Sequence, residues 1–341
     1  VTVRIGFLGA GLIAHAHALG LHTSGEPYEL TGVFDPDTAR RDEFATGWGA
    51  PALDDEAAVL DACDAVYVAT WTAEHARLVD EACARGRAVF CEKPLAFDAP
   101  RAEAMAAAVE AAGIVHQVGL VLRHSPAFAL LGDLVAEPEA GRLMSFVFRD
   151  DQYIPIQGMY ASTWRGDPAL CGAGTLLEHA IHDVDILEHT LGPVRSVSAR
   201  SASFHDLAGI EDTVATVVEL EGGAVGVHAT VWHDVLERPS LRRIEVFCER
   251  RHLVVENDHL GPVRWTTTGE GSVELEGEDL VAECRRRGLR FGNPDGAFVR
   301  AVAAGVPAWP GFAEAVRAHR VVDAVYAAAA TGEARDVPPL S

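Results

Sequence analysis

Short apolar runs alternating with amphipathic stretches fill the first third of the chain. Val3-Arg4-Ile5-Gly6-Phe7-Leu8 is β-prone, and beyond a glycine turn Leu12-Ile13-Ala14-His15-Ala16-His17-Ala18-Leu19 has the character of a helix. A second strand over residues 28–34 ends at Asp35, and further strands are expected at 65–69, 87–91 and 114–120 with helical segments between them. Strands separated by helices cannot be hairpin partners, so the pattern predicts a parallel, doubly wound α/β sheet.

Past residue 120 the texture changes. Strand-like runs at 143–148, 194–199, 213–219, 224–231, 243–247 and 253–255 follow one another with turns between most of them, which predicts an antiparallel sheet and an α+β second half. One helix is expected over 174–191 and a closing one over 312–330, just before Gly332. The acidic, Gly-rich stretch 269–278 reads as a solvated hairpin or loop. The division falls near residue 120, giving domains 1–120 and 121–341.

Composition narrows the function more than the fold. A chain of 341 residues exceeds the size at which a single core stops growing, and 49% hydrophobic with 23% charged residues is ordinary for a globular protein. The net charge of -22 lacks the clustered cations that phosphate neutralisation needs, so no nucleic-acid partner is expected. The six Cys form no C-x-x-C pair and lie in apolar or helical stretches, which points to reduced thiols and away from zinc or disulfides. No apolar run reaches the ~20 residues of a membrane span, and the chain opens directly on a strand. The expectation is a cytoplasmic protein with no membrane partner.

Three constellations carry chemistry. Gly9-Ala10-Gly11-Leu12-Ile13-Ala14 fits G-x-G-x-x-G/A between a strand and a helix, where a tight turn lets backbone approach a pyrophosphate. Asp35, ending the next strand, can accept hydrogen bonds from ribose hydroxyls. Its charge repels a 2'-phosphate, so NAD is favoured over NADP, although Arg40 and Arg41 lie nearby in sequence.

Glu92-Lys93-Pro94 follows a strand at the edge where open α/β sheets bind ligands, and the proline restricts the backbone that carries the Lys93 ammonium. A strand-end surface ion pair is the alternative. In the expected helix over 174–191, Glu178, His182 and Asp185 fall at i, i+4 and i+7 on one face, against the alternative of a solvated polar face. His15, His17, His75, His228 and His233 lack companions at a metal-ligand spacing, so no metal is expected.

Together these strings resemble the glucose-fructose oxidoreductase, inositol dehydrogenase and rhizopine catabolism (Gfo/Idh/MocA) family along essentially the whole chain. Thr70-Trp71-Thr72-Ala73-Glu74-His75, Phe90-Cys91-Glu92-Lys93-Pro94 and His182-Asp183-Val184-Asp185 look particularly like its inositol 2-dehydrogenase branch. The resemblance implies an NAD-binding Rossmann domain joined to a substrate-binding and oligomerisation domain with a large open, mainly antiparallel sheet, whose free face often mediates homodimers or homotetramers. It implies cofactor contacts from Gly9, Gly11, Leu12, Ile13, Asp35, Thr70, Trp71, His75, Glu92 and Lys93. It also implies a polyol or sugar substrate, with Lys93 and His182 as the catalytic pair.

In the oxidative direction His182 would take the hydroxyl proton, Lys93 would stabilise the reacting oxygen, and Glu178 would orient His182 or bind a neighbouring hydroxyl. Arg123, Asp151, Tyr153, Trp164 and Arg165 are weaker candidates for the substrate wall. The 149–171 segment that supplies the last four is polar and aromatic without periodicity, and an ordinary loop is its alternative. Glu178 stands where the family more often has Asp, and Leu122-Arg123 where two basic residues are frequent. Two other readings share the fold: an enzyme that retains its nicotinamide through a redox-neutral sugar modification, and a non-catalytic ligand sensor.

Overall fold

In the computed structural model, which describes residues 1–339, the chain forms two compact units. The first comprises 1–120 together with 169–172 and 293–316, so two stretches beyond the expected boundary at residue 120 pack with it.

Chain order in the first unit is β1 (Val3–Leu8), α1 (Leu12–Ser24), β2 (Tyr28–Phe34), α2 (Thr38–Trp48), α3 (Glu56–Ala62), β3 (Ala65–Val68), α4 (His75–Ala84), β4 (Ala88–Cys91), α5 (Ala99–Ala112) and β5 (His116–Val118). All strand pairs are parallel, in the order β2-β1-β3-β4-β5. A single bridge, Val33 to Ala52, extends β2 outward in parallel, adding the position that a third strand takes in a dinucleotide-binding sheet. The order reverses between β1 and β3, and such switch points open a crevice at the carboxyl ends of the strands.

Strand register explains the core of this unit. Phe7, Tyr67 and Phe90 are neighbours across β1, β3 and β4, and their rings stack at 4.8 and 4.7 Å. Phe298 lies edge-on to Tyr67 and Phe90 at 5.6 and 5.5 Å, the T-shaped arrangement that aromatic quadrupoles favour.

The second unit contains 121–168, 173–292 and 317–339. Chain order from residue 121 is α6 (Pro126–Ala136), β6 (Leu143–Tyr153), a single turn α7 (Pro168–Cys171) that falls in the first unit from residue 169, α8 (Thr175–Glu178), α9 (Ile181–Leu191), β7 (Val194–Ala202), β8 (Thr213–Leu220), β9 (Val225–His233), β10 (Leu241–Cys248), β11 (Arg251–Glu256), β12 (Val263–Thr267), β13 (Gly271–Leu275) and α10 (Gly277–Arg287). The chain closes with α11 (Pro294–Ala304), which lies in the first unit, α12 (Phe312–Thr331) and β14 (Arg335–Asp336).

The nine strands form one sheet, β13-β12-β11-β10-β6-β9-β8-β7-β14, antiparallel throughout except for the parallel β6–β9 pair. Alternation along β6, β8 and β10 sends Phe146, Phe148, Val214, Val218, Ile244 and Val246 into the core with α6 and α9. The opposite face carries Val147, Val217, Val225 and Val227 at 43–49% exposure. Val217, Val227 and Val147 stand side by side across three strands.

Two local expectations change. The helix expected over 174–191 is broken: α8 ends at Glu178 and α9 begins at Ile181, with His179 at φ -122, ψ -60 between them. The aperiodic 149–171 segment begins as strand, since β6 continues to Tyr153. Among the described residues no helix is long and apolar enough to cross a membrane.

Candidate active site

In the first unit the candidates gather where β1 and β3 end. Gly9 has φ +96, and a Cβ there would fall 2.4 Å from the Ala69 carbonyl oxygen, so the turn requires glycine. Gly11, the N-cap of α1, is different: a Cβ would meet nothing within 4 Å. The helix entry is therefore open, and no side chain caps it. The first N–H groups of a helix have no intrahelical acceptor, so those of Leu12 and Ile13 suit an anion such as a pyrophosphate. Their side chains, 51% and 42% exposed, leave an apolar rim beside it.

Asp35 closes this cradle. Its Oδ2 accepts from Ala10 N at 2.8 Å and its Oδ1 from Asp37 N at 2.8 Å, which fixes the carboxylate at the end of β2. The two arginines that complicated the cofactor choice have acidic partners. Arg40 lies 3.5 Å from Asp37, while Arg41 pairs with Asp42 at 2.8 Å and Asp54 at 3.6 Å. Neither is aimed at a 2'-phosphate by default, and the residues fit NAD.

Around β3 and β4 the remaining candidates interlock through backbone. His75 Nδ1 lies 2.9 Å from the Pro94 carbonyl, and its Nε2 lies 3.4 Å from that of Thr70, so one buried imidazole lies against both strings. Trp71, 37% exposed, opens the turn before α4. The Lys93–Pro94 bond is cis, and Lys93 N donates to Glu92 Oε2 at 3.2 Å.

Glu92 is buried and has a partner that sequence spacing could not reveal. Its Oε1 lies 3.0 Å from His17 Nε2, and His17 Nδ1 lies 2.7 Å from Asp295 Oδ1 at the start of α11. Burial works against charge on His17, but Asp295 and Glu92 outweigh it and push its pKa up to about 10. Burial likewise works to raise Glu92, yet His17 and then Lys93 hold it below the ordinary carboxylate range. The residue before Lys93 is thus a buried carboxylate clamped by an imidazolium.

In the second unit the sequence-derived candidates divide into separate pairs. Glu178, fully buried, accepts from Arg165 Nε at 3.1 Å, and that guanidinium lies 4.3 Å over the ring of Trp164. Arg123 grips Asp185 with two nitrogens at 3.0 and 2.7 Å. His182 is half-buried in the first turn of α9. The shared helical face expected of Glu178, His182 and Asp185 is lost, because the break after Glu178 interrupts the helix between them.

Asp151 is held by Arg238 at 2.7 Å and lies 3.5 Å from His233; the Arg238 contact holds its pKa down against burial. Tyr153 accepts from Met159 N at 3.2 Å and packs on Tyr160. Behind Glu178 and His182 lies a buried cluster that the sequence did not single out, formed by Asp150, His179, Asp183, His228 and Arg242.

Comparison with known proteins fits this geometry. Residues 3–120 match the model of the GFO/IDH/MocA oxidoreductase family, NAD-binding Rossmann fold, and residues 128–254 match the GFO/IDH/MocA C-terminal domain. A myo-inositol dehydrogenase of Streptomyces leeuwenhoekii is 32% identical over 91% of this chain and 89% of its own. The chain belongs to the GFO/IDH/MocA family.

An inositol 2-dehydrogenase of Rhizobium meliloti is 27% identical to this GFO/IDH/MocA protein over 95% of this chain and 96% of its own. A levoglucosan dehydrogenase solved with NADH and levoglucosan covers all of both chains at 21% identity with a TM-score of 0.87, a likeness of fold. NAD is the cofactor of this GFO/IDH/MocA oxidoreductase.

Two measurements check the cofactor half of the site. Asp35→Ser is expected to weaken NAD binding about 10- to 100-fold through lost charge-assisted hydrogen bonds, while NADP binding weakens little, read by titrating each reduced cofactor fluorometrically. Equal weakening of both would show that Asp35 only shapes the turn. For His17, the raised pKa means that its contribution to stability is complete below pH 6.5 and fades as pH rises through about 10. Thermal unfolding of the wild type should lose stability across that window more steeply than His17→Gln; parallel curves contradict a buried imidazolium.

Proposed function

We propose that this protein is an NAD-dependent dehydrogenase that interconverts a secondary hydroxyl and a ketone on a cyclitol or sugar, with Lys93 and His182 as its catalytic pair. The observation that carries the reading is the match over 91% of the chain to a myo-inositol dehydrogenase. The inositol 2-dehydrogenase relative and the levoglucosan-bound fold relative agree with a polyhydroxylated substrate.

NAD, when bound, supplies the acceptor for the hydride leaving the carbinol carbon. The protein's own groups handle the oxygen and its proton. In the oxidative direction the His182 imidazole takes the hydroxyl proton, acting as general base. The Lys93 ammonium hydrogen-bonds the same oxygen and stabilises the charge that develops as the proton leaves. The products are ketone, NADH and one proton, so charge and electrons balance.

Glu178 serves orientation. Its buried carboxylate, which accepts from Arg165, presents an acceptor for a neighbouring hydroxyl. Arg165, steadied on Trp164, contributes to the substrate wall together with Arg123 in this reading. The half-exposed valines of the nine-stranded sheet support assembly of identical chains through that face, because a contiguous apolar row on a sheet is ordinarily covered.

The test is appearance of reduced nicotinamide with a panel of inositols, free sugars and glycosides. His182→Ala and Lys93→Ala are each expected to lower kcat by about 100- to 10,000-fold with NAD affinity little changed. Tight NAD binding without NADH release across the panel favours a retained cofactor or a sensor. For the assembly, Val227→Lys should reduce the sedimenting mass toward that of a single chain, whereas an unchanged mass places the interface elsewhere.

A further inference from the structure

Glu178 ends one short helix and His182 lies in the first turn of the next. The Thr175 carbonyl accepts from both His179 N at 3.1 Å and Ala180 N at 2.8 Å, which ends α8. Ala180, the N-cap of α9, offers no side-chain cap. Backbone bonds continue on either side, from Glu178 N to the Gly174 carbonyl at 2.9 Å and from Val184 N to the Ala180 carbonyl at 3.1 Å, but the join itself has no side-chain cap.

A buried guanidinium from the sheet supports the join. Arg242 on β10 stands directly opposite Asp150 on β6, and both side chains point into the helix-covered face. Arg242 Nη2 donates to Asp150 Oδ2 at 2.7 Å, its Nε donates to Asp183, and its Nη1 donates to Asp258. Asp150 Oδ2 also lies 2.7 Å from His179 Nε2, and Asp183 Oδ2 lies 3.0 Å from His228 Nε2. His179 is the residue after Glu178, and Asp183 is the residue after His182. Two side chains on paired strands, Arg242 and Asp150, therefore reach the chain at Asp183 and at His179.

We propose that Arg242 is a positioning residue, which through Asp150 and Asp183 sets where the Glu178 carboxylate and the His182 imidazole stand. The inference rests on the reading of Glu178 and His182 as reaction-site groups. A purely stabilising role is a weaker account, since an ion network so deeply buried is readily matched in stability by apolar packing. Its placement on two hydrogen-bonded strands gives what a reaction site needs, a rigid support for a group whose displacement by about 1 Å can cost about 100-fold in rate.

The experiment uses the full chain and Asp150→Asn, which keeps the side-chain volume but removes the charge that holds His179 and Arg242. Expected are a fall in kcat of about 10- to 100-fold, a KM for NAD within about twofold of wild type, and a displaced or doubled His182 ring resonance in histidine-labelled protein. The resonance is assigned with His182→Gln, and thermal unfolding checks that each variant is folded.

His179→Gln, at a site with an 18% exposed side chain, breaks the same link at its outer end and is the variant to use if Asp150→Asn fails to fold. It should lower kcat by about 3- to 10-fold and also move the His182 resonance. Folded variants with kcat within about twofold of wild type and an unmoved resonance overturn the proposal. A wild type that turns over no polyol overturns the dehydrogenase reading, while the resonance still decides the positioning role.

Discussion

A charge taken out of water must be met by an opposite charge or by hydrogen bonds, because an unpaired buried ion costs a large part of the stability of a whole domain. Both units of this protein place charges inside and answer each with partners from distant parts of the chain. In the first, His17 on α1 sits between Glu92 at the end of β4 and Asp295 on α11. In the second, Arg242 on β10 gathers Asp150, Asp183 and Asp258. Each cluster adjoins a residue assigned to the chemistry, Lys93 in one unit and His182 in the other. The buried pairs do the work that helix caps and periodic packing do elsewhere.

The aromatic stack of Phe7, Tyr67 and Phe90 shows how the two kinds of order combine. Register alone places the rings in a row, and His17 packs edge-on against Phe90 at 4.7 Å while reaching its two carboxylates. An apolar wall on one side and two carboxylates on the others leave that imidazole a single arrangement. The end of β4, and with it the backbone entering Lys93, inherits the constraint through Glu92.

Much of the fold was legible because it is written in local pattern. The strand, glycine turn and helix from Val3 to Ser24 follow from apolar periodicity and from Gly9, and Asp35 falls where a ribose-binding carboxylate belongs. The alternating strands of the second unit were visible for the same reason. What was hidden depends on contacts far along the chain. His17 looked unremarkable because its partners are 75 and 278 residues away. The end of β6 looked like loop because Asp150 is polar at a core position, which makes sense only beside Arg242. No Gly or Pro announces the break at His179, whose ring lies 2.7 Å from Asp150 on β6. The parallel β6–β9 pairing and the return of α11 to the first unit likewise leave no local trace.

The central claim is that a hydride passes from a substrate carbinol carbon to NAD, which then leaves the protein as NADH. Its most direct test is turnover of a cyclitol or sugar deuterated at the carbon bearing the reacting hydroxyl, followed by mass analysis of the nicotinamide free in solution. The account expects reduced nicotinamide carrying one deuterium, in amounts equal to the ketone formed. Reduced nicotinamide without deuterium, or labelled nicotinamide found only on the protein, would contradict it.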